Sequence, residues 1–250
     1  YAHIGTGNYH AATARTYTDL GLFTCDPDIT RDLVELFHYL TGRSLKRTYR
    51  KLLVAPANMR DRFLEMIARE AEHAKAGRPA RIIAKMNSLE ERKVCQALYD
   101  AGRDGVEIDL IVRGLCVLRP GVPGLSERIR VVSVVGRYLE HSRIFYFRNG
   151  AENPINGEFY IGSADWMYRN LLARVEAVVP IARQSQRERL WDILQVMLND
   201  HRQAWDMQPG GSYVQRTPDL HDSFPGTQPW LMSQARATAA GREELRTGQG

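Results

Sequence analysis

The sequence lacks any apolar run long enough to cross a bilayer. A membrane-spanning helix needs about 20 consecutive, mostly apolar residues, yet even the apolar segment 129–136 is interrupted by Arg130 and Ser133. We therefore exclude a transmembrane protein at this stage. The opening residues, YAHIGTGNYH, have neither the basic nor the apolar region of a secretory signal and do not begin with Met. We expect the chain to continue upstream in a longer protein.

Cysteine is also scarce, with Cys25, Cys95 and Cys116 as the only three. An odd, widely spaced set without a CxxC pair argues against both a disulfide framework and a zinc knuckle, and it favours a reducing compartment. The seven histidines form no HxH or HExxH motif and no Cys/His cluster at ligand spacing. The sequence therefore predicts no protein-built metal site.

The composition is typical of a folded globular protein, with 44% hydrophobic, 25% charged and 9% aromatic residues. Lys and Arg number 34 and Asp and Glu 29, which leaves a net charge of +5. This mild excess favours an anionic partner over a cationic one.

Short apolar strands alternate with amphipathic helices from residue 52 onward, a pattern that predicts an α/β fold with a mostly parallel sheet covered by helices. A helix over 26–40 comes first, and capping-box sequences at 88–91 (SLEE) and 185–188 (SQRE) predict two further helix starts. The remaining helix is predicted over 58–76. The predicted strands are 52–55, 81–84, 106–112, 129–135, 143–147, 159–161 and 175–181.

A domain boundary is predicted near Lys51, at the end of a run of basic residues. That run is interpreted as a solvated linker, with phosphate binding as the alternative; it consists of Arg43, Lys46, Arg47, Arg50 and Lys51. Residues 209–250 are rich in Gly, Pro, Ser, Thr and Gln and show little apolar periodicity, so they are predicted to form a mostly disordered tail.

His141 stands out among the histidines because it directly precedes an alternating strand and lies two residues before Arg143. About twenty residues on, Gly162 and Ser163 end another strand, where small side chains let backbone amides approach an anion. An imidazole, a nearby arginine and such a turn could together bind or transfer a phosphoryl group. The alternative is a structural ion pair between His141 and Glu140.

Two further residues are candidates for contacts with a nucleotide. Arg113 ends a predicted strand, and the carboxyl ends of strands in an open α/β sheet form the ligand crevice, where an arginine can hold phosphate oxygens in a bidentate manner. Tyr17 could stack on a base. A surface ion pair for Arg113 and a core position for Tyr17 are the alternatives. Tyr17 follows the turn GTGN at 5–8, which is similar to GSAD at 162–165 and suggests a duplicated half-site.

Several stretches, taken in order, resemble bacterial polyphosphate kinases of the first of two unrelated families. They are HIGTGNYHAATARTYTDLGLFTCDPDIT, LLVAP, KMNSL, IDLIVRGLCVLRPGVPGLSERIRVVSVVGRYLEHSRIFYF, YIGSADWMYRN and RVEAVVPI. The resemblance covers about residues 1–208 and concerns the carboxyl-terminal part of such enzymes.

The resemblance implies an α/β, phospholipase D-like fold with a mixed sheet and flanking helices. Residues 1–51 would end a first phospholipase D-like catalytic domain, 52–208 would form a second, and 209–250 would be the unmatched tail. The second motif departs from the phospholipase pattern, because Arg143 and Asp165 stand where Lys and Asn are expected. This departure disfavours a phospholipase D-type phosphodiesterase.

The implied reaction is the reversible transfer of the terminal phosphate of ATP to inorganic polyphosphate through a phosphohistidine. By resemblance, His141 contacts the transferring phosphate, Arg113 binds ATP phosphates and Tyr17 lies at the nucleotide. His3 belongs to the first-domain motif. The phosphorylated histidine and the contacts to Mg²⁺ are expected upstream of this chain.

The implied cofactors are ATP or ADP and Mg²⁺, and the implied substrate partner is inorganic polyphosphate. A homo-oligomer, no nucleic-acid partner and a cytoplasmic location are expected, with a peripheral position at the inner membrane face as an alternative location. Because the nucleophile is absent from this chain, a non-catalytic module that binds polyphosphate or nucleotide is the alternative function.

Overall fold

The computed structural model describes residues 1–45 and 48–247, the last seven by their backbone alone. Lys46 and Arg47 of the basic run lie outside the described residues. The described strands are β1 (Ala2–Gly5), β2 (Tyr17–Thr18), β3 (Gly21–Thr24), β4 (Leu53–Ala55), β5 (Arg81–Met86), β6 (Glu107–Val112), β7 (Ile129–Val134), β8 (Leu139–Glu140), β9 (Ile144–Phe147), β10 (Glu158–Gly162), β11 (Glu176–Pro180), β12 (Ala204–Met207) and β13 (Tyr213–Gln215). The described α-helices are α1 (Pro27–Leu40), α2 (Met59–Lys75), α3 (Arg92–Arg103), α4 (Gln184–Leu198) and α5 (Thr227–Thr247). None of them is long and apolar enough to cross a membrane.

One large mixed sheet organises the fold, with strand order β13-β12-β7-β6-β5-β9-β10-β11-β4. The mixed sheet with flanking helices is confirmed, but the expectation of a mostly parallel sheet is wrong. Within the described sheet, only β5–β6 and β6–β7 are parallel pairs. The loops 148–157 and 163–175 each connect one strand directly to the adjacent strand of the sheet. Strand β10 is therefore antiparallel to both β9 and β11.

The two faces of this sheet carry separate apolar cores. On β9, Phe145 and Phe147 face α2 and α3, whereas Ile144 and Tyr146 face α1 and α4. All four side chains are fully buried. Burial of one such side chain stabilises the fold by about 1.5–3 kcal/mol, so both faces of this central strand must be covered.

The predicted start of α1 is confirmed, whereas the capping boxes predicted for α3 and α4 do not form. Helix α1 begins at the predicted place, and Asp26 caps it by accepting hydrogen bonds from the backbone amides of Asp28 and Ile29 at 2.9 and 3.0 Å. Neither SLEE nor SQRE works as a capping box. Helix α3 begins three residues later than predicted, behind Glu91, because Leu89 is held extended by bridges to neighbouring loops. Helix α4 follows Arg183 without a side-chain cap.

The structure also differs from the predicted disordered tail. Strand β13 pairs with β12 and extends the sheet, and Thr227 and Gln228 at the start of α5 are 0% and 3% exposed. The Asp200 carboxylate accepts hydrogen bonds from the Thr227 amide and hydroxyl at 2.7 and 2.6 Å. Polar contacts with the rest of the chain order this segment, and such contacts leave no apolar periodicity in the sequence.

Candidate functional site

The candidate site lies at one end of the sheet, where β5, β6 and β10 end and β9 begins. Asn87 follows β5, Arg113 follows β6, and Asp165 follows β10 by three residues. Residues 141–143 lead into β9 at the same end. Carboxyl ends of parallel strands form the usual ligand crevice of α/β sheets, and the fold therefore brings these predicted residues together.

Arg143 connects the two similar turns noticed in the sequence. Its Nε and Nη2 donate to the two carboxylate oxygens of Asp165 at 3.0 and 3.2 Å. Its Nη1 donates to the carbonyl oxygen of Thr6 at 2.6 Å. Asp165 also accepts a 2.8 Å hydrogen bond from the Asn87 amide. The turns 5–8 and 162–165 therefore lie on either side of one buried guanidinium.

This arrangement changes the role expected for Arg143. Every nitrogen of its guanidinium donates to groups of the protein, and the side chains of Arg143 and Asp165 are only 8% and 6% exposed. A guanidinium engaged in this way is not available to a phosphate. The predicted role of Arg143 in phosphate binding is therefore corrected: its guanidinium links the two turns.

Replacing Arg143 with Met is expected to lower the free energy of unfolding by about 3–5 kcal/mol, because it leaves the buried Asp165 carboxylate without its cation. Urea unfolding followed by circular dichroism measures the change. The double variant Arg143→Met/Asp165→Leu is the control and should regain part of the loss, since it removes both charges. Equal stability of Arg143→Met and the wild type would contradict the assigned role.

His141 is held from several directions. Its ring stacks on Tyr17, with centroids 4.3 Å apart and planes 20° apart, and its backbone amide donates to the Thr18 carbonyl at 3.0 Å. Arg143 Nη1 lies 3.1 Å from His141 Nδ1. The same Nη1 lies 3.5 Å from His141 Nε2, so this cation, which can only donate, faces both ring nitrogens and disfavours a second proton on the ring.

The surroundings of His141 favour this neutral form. Burial, followed by the positive charges of Arg143 and Arg113, lowers the pKa of His141 to about 4, while Asp165 opposes the shift. At neutral pH the imidazole is therefore uncharged and offers one N–H donor. That donor suits an oxygen that gains negative charge during a reaction.

The lowered pKa of His141 predicts a pH dependence of stability. Between about pH 6.5 and pH 4 the unfolded chain binds a proton on this residue that the folded chain does not. Stability rises with pH wherever the unfolded state binds more protons, so the His141 contribution is lost as the pH falls through this window. Urea unfolding at pH 7 and pH 5 should show a larger loss for the wild type than for His141→Gln. Equal losses would contradict the shift.

Tyr17 is buried, with 9% of its surface exposed. Its hydroxyl donates to the Asn8 carbonyl at 3.0 Å and accepts from the Asn8 amide at 2.6 Å. One face of the ring lies against His141. The structure thus places Tyr17 as a support for the imidazole and the turn 5–8, and its predicted contact with a nucleotide stays a prediction.

Arg113 is the cation of the site with an open donor. Its guanidinium is half-buried, and its buried Nε has no hydrogen-bond partner among the described residues. Burial lowers the pKa of Arg113, and the positive charge of Arg143 lowers it further, against the opposing charges of Asp165 and Glu140. A buried N–H without a partner is costly, and the accessible part of the same half-buried guanidinium is where an anion can bind.

The sequence analysis missed a buried ion pair behind His141. Lys85 is 1% exposed, and its Nζ lies 3.0 Å from the Ser142 carbonyl oxygen and 3.4 Å from a carboxylate oxygen of Glu140. Burial lowers the pKa of Lys85, and Glu140 opposes that change. A lysine among the apolar residues of strand β5 was the available signal, since buried lysines are rare unless paired.

The described ring contacts of His3 are with Tyr9 and Phe23, and not with His141. Its Nδ1 lies 2.5 Å from the Tyr9 hydroxyl, and its ring packs against Phe23 at a centroid distance of 4.4 Å. These contacts belong to the exposed side of the small β1–β3 sheet. The part that His3 plays in the site stays a prediction.

Comparisons with known proteins point to one family. The family model for polyphosphate kinase C-terminal domain 2 matches residues 52–225, and the model for C-terminal domain 1 matches residues 1–46. The polyphosphate kinase of Synechocystis sp. is 55% identical over 247 residues, covering 99% of this chain and 33% of that protein. The Pseudomonas aeruginosa polyphosphate kinase is 47% identical over 237 residues, covering 95% of this chain and 34% of that protein.

A solved structure shows the same fold. The crystal structure of polyphosphate kinase from Porphyromonas gingivalis matches with a TM-score of 0.85 and 37% identity, covering 94% of this chain and 36% of that one. The chain spans about a third of the length of these relatives. Since one family model matches more than half of the residues and a second matches the start, the chain belongs to the polyphosphate kinase family.

Proposed function

We propose that this chain is the carboxyl-terminal part of a polyphosphate kinase, in which it binds phosphate groups of ATP and polyphosphate and stabilises the phosphoryl group that passes between them. The observation that carries the proposal is the half-buried Arg113 guanidinium, whose Nε has no partner among the described residues, at the same end of the sheet as neutral His141. Both residues match positions that the family resemblance assigns to phosphate.

The chemistry of phosphoryl transfer explains why these two donors suit it. Negative charge is spread over the oxygens of the transferring group, and catalysis depends mainly on positioning and on stabilising that charge. Arg113 holds phosphate oxygens with its planar fork. The neutral His141 ring donates its one N–H to an oxygen of the same group, while Tyr17 and Arg143 keep the ring in place.

ATP would supply the terminal phosphoryl group, and the donors present fit its phosphates. The described residues form no group of three or more His, Cys, Asp or Glu side chains that could hold a metal ion. By family resemblance, the contacts to Mg²⁺ and the phosphorylated histidine would lie in residues upstream of this chain. A homo-oligomeric state and a cytoplasmic or peripheral membrane location are also proposed by family resemblance.

A phospholipase D-type phosphodiesterase is not favoured. The motif that would carry it has Arg143 bound to Asp165, and both side chains are occupied within the protein. Hydrolysis of a model phosphodiester by the purified chain would contradict this reasoning.

The test is to extend the reading frame upstream, express the longer product and incubate it with radiolabelled ATP and Mg²⁺. We expect acid-labile phosphohistidine and growing polyphosphate chains. A longer product that binds polyphosphate but transfers no phosphate would support the binding-module alternative. A product that does neither would overturn the proposal.

A further inference from the structure

The side chain of Gln228, at the start of α5, holds the residues that directly precede His141. Its Oε1 accepts a 3.0 Å hydrogen bond from the Tyr138 amide, and its Nε2 donates to the Tyr138 carbonyl at 2.7 Å. The same Nε2 lies 2.9 Å from Oε1 of Glu140. One amide side chain thus binds residues on both sides of position 139.

Gln228 is itself fixed. It is 3% exposed, and its backbone amide donates to the side-chain oxygen of Gln203 at 3.0 Å. Its neighbour Thr227 is bound to Asp200 through both its amide and its hydroxyl. The side-chain amide of Gln228 is therefore anchored to the folded core, and its hydrogen bonds tie strand β8 to that core.

Strand β8 needs this support because its own pairing is minimal. It consists of two residues and pairs with the two-residue strand β2 in a separate parallel sheet. Two-stranded sheets are marginally stable at best. The side chain of Glu140 adds contacts to Thr18 at 3.1 Å and to Lys85 at 3.4 Å, and Gln228 supplies the third partner of the same carboxylate.

We propose that Gln228 is a positioning residue, whose side-chain amide sets the place of β8 and thereby holds the His141 imidazole against Tyr17 and beside Arg113. Its effect on phosphate binding rests on the proposed function. Its effect on the position of the imidazole does not, because that position follows from the contacts within this chain.

The test uses the 250-residue chain with three variants. Gln228→Leu removes the amide, and Gln228→Glu keeps an acceptor for the Tyr138 amide but loses the donor to Glu140. Gln234→Leu is the matched control, because Gln234 lies on the same helix with an exposed side chain. Circular dichroism confirms that each variant folds, and Gln228→Asn replaces any that does not.

The first readout is the proton NMR signals of the His141 ring, assigned by their absence in His141→Ala. Stacking on Tyr17 displaces these signals through the ring current of the tyrosine. We expect them to move toward their free-solution positions in the folded Gln228 variants and to stay in place in Gln234→Leu. Unmoved signals in folded Gln228→Leu would overturn the proposal.

The second readout is the affinity of the chain for inorganic polyphosphate. We expect the Gln228 variants to bind about 5-fold more weakly, the size of one lost hydrogen bond. In a His141→Ala background the same substitution should have little further effect, because the residue it positions is gone. If the wild-type chain binds no polyphosphate, the affinity is measured on the upstream-extended product. If that product binds none either, the proposed function fails and the NMR readout alone decides the role of Gln228.

Discussion

Replacing Arg113 with Ala is expected to lower kcat of the complete enzyme by about 10²-fold or more, because it removes the open cationic donor of the site. Arg113→Lys should recover only part of this loss, since a lysine supplies a point charge without the planar fork. Steady-state kinetics with ATP and polyphosphate measure both variants.

The control for Arg113 is Arg128→Ala. Arg128 is an exposed arginine that forms an ion pair with Glu107. Glu107 begins strand β6, and Arg113 follows the end of the same strand. We expect near wild-type turnover from this control, because surface ion pairs contribute little. Near wild-type kcat in folded Arg113→Ala would contradict the assignment, and a loss of stability with unchanged chemistry would favour a purely structural ion pair.

The second large effect is expected at His141. Replacement with Ala should lower kcat by about 10²-fold or more, because the donor to the transferring group is lost. His141→Gln should lose only about 10-fold, because its amide can still donate a hydrogen bond. The difference between Gln and Ala tests hydrogen-bond donation by a neutral ring, and kcat measured for both variants decides it.

The pH profile separates this role from proton transfer. With the pKa of His141 held at about 4, the pH profile of kcat should contain no ionisation near pH 6.5 that comes from His141. Any ionisation seen there in the wild type should therefore persist in His141→Gln. Such an ionisation would indicate that a charged His141 acts as a general acid, which contradicts the neutral-donor role. Equal loss in the Ala and Gln variants would contradict it too.

Much of the fold could be predicted from local patterns. The strands near 81, 107, 129 and 144 and the cap of α1 by Asp26 follow from apolar alternation and from short-range hydrogen bonding. Errors arose where distant contacts prevail over local preference. Leu89, for example, is held extended by neighbouring loops, so α3 starts behind Glu91 and not behind Ser88.

The family resemblance, the candidate residues His141, Arg113 and Tyr17, and the similarity of the turns 5–8 and 162–165 could all be read from the sequence. The surroundings of these residues depend on the tertiary structure. Arg143 is bound to Asp165 and Thr6, and the same guanidinium lies against both ring nitrogens of His141. The Gln228 side chain forms hydrogen bonds with Tyr138 across a separation of 90 residues. Hydrogen bonds and burial between such distant residues depend on chain packing, and no local spacing encodes them.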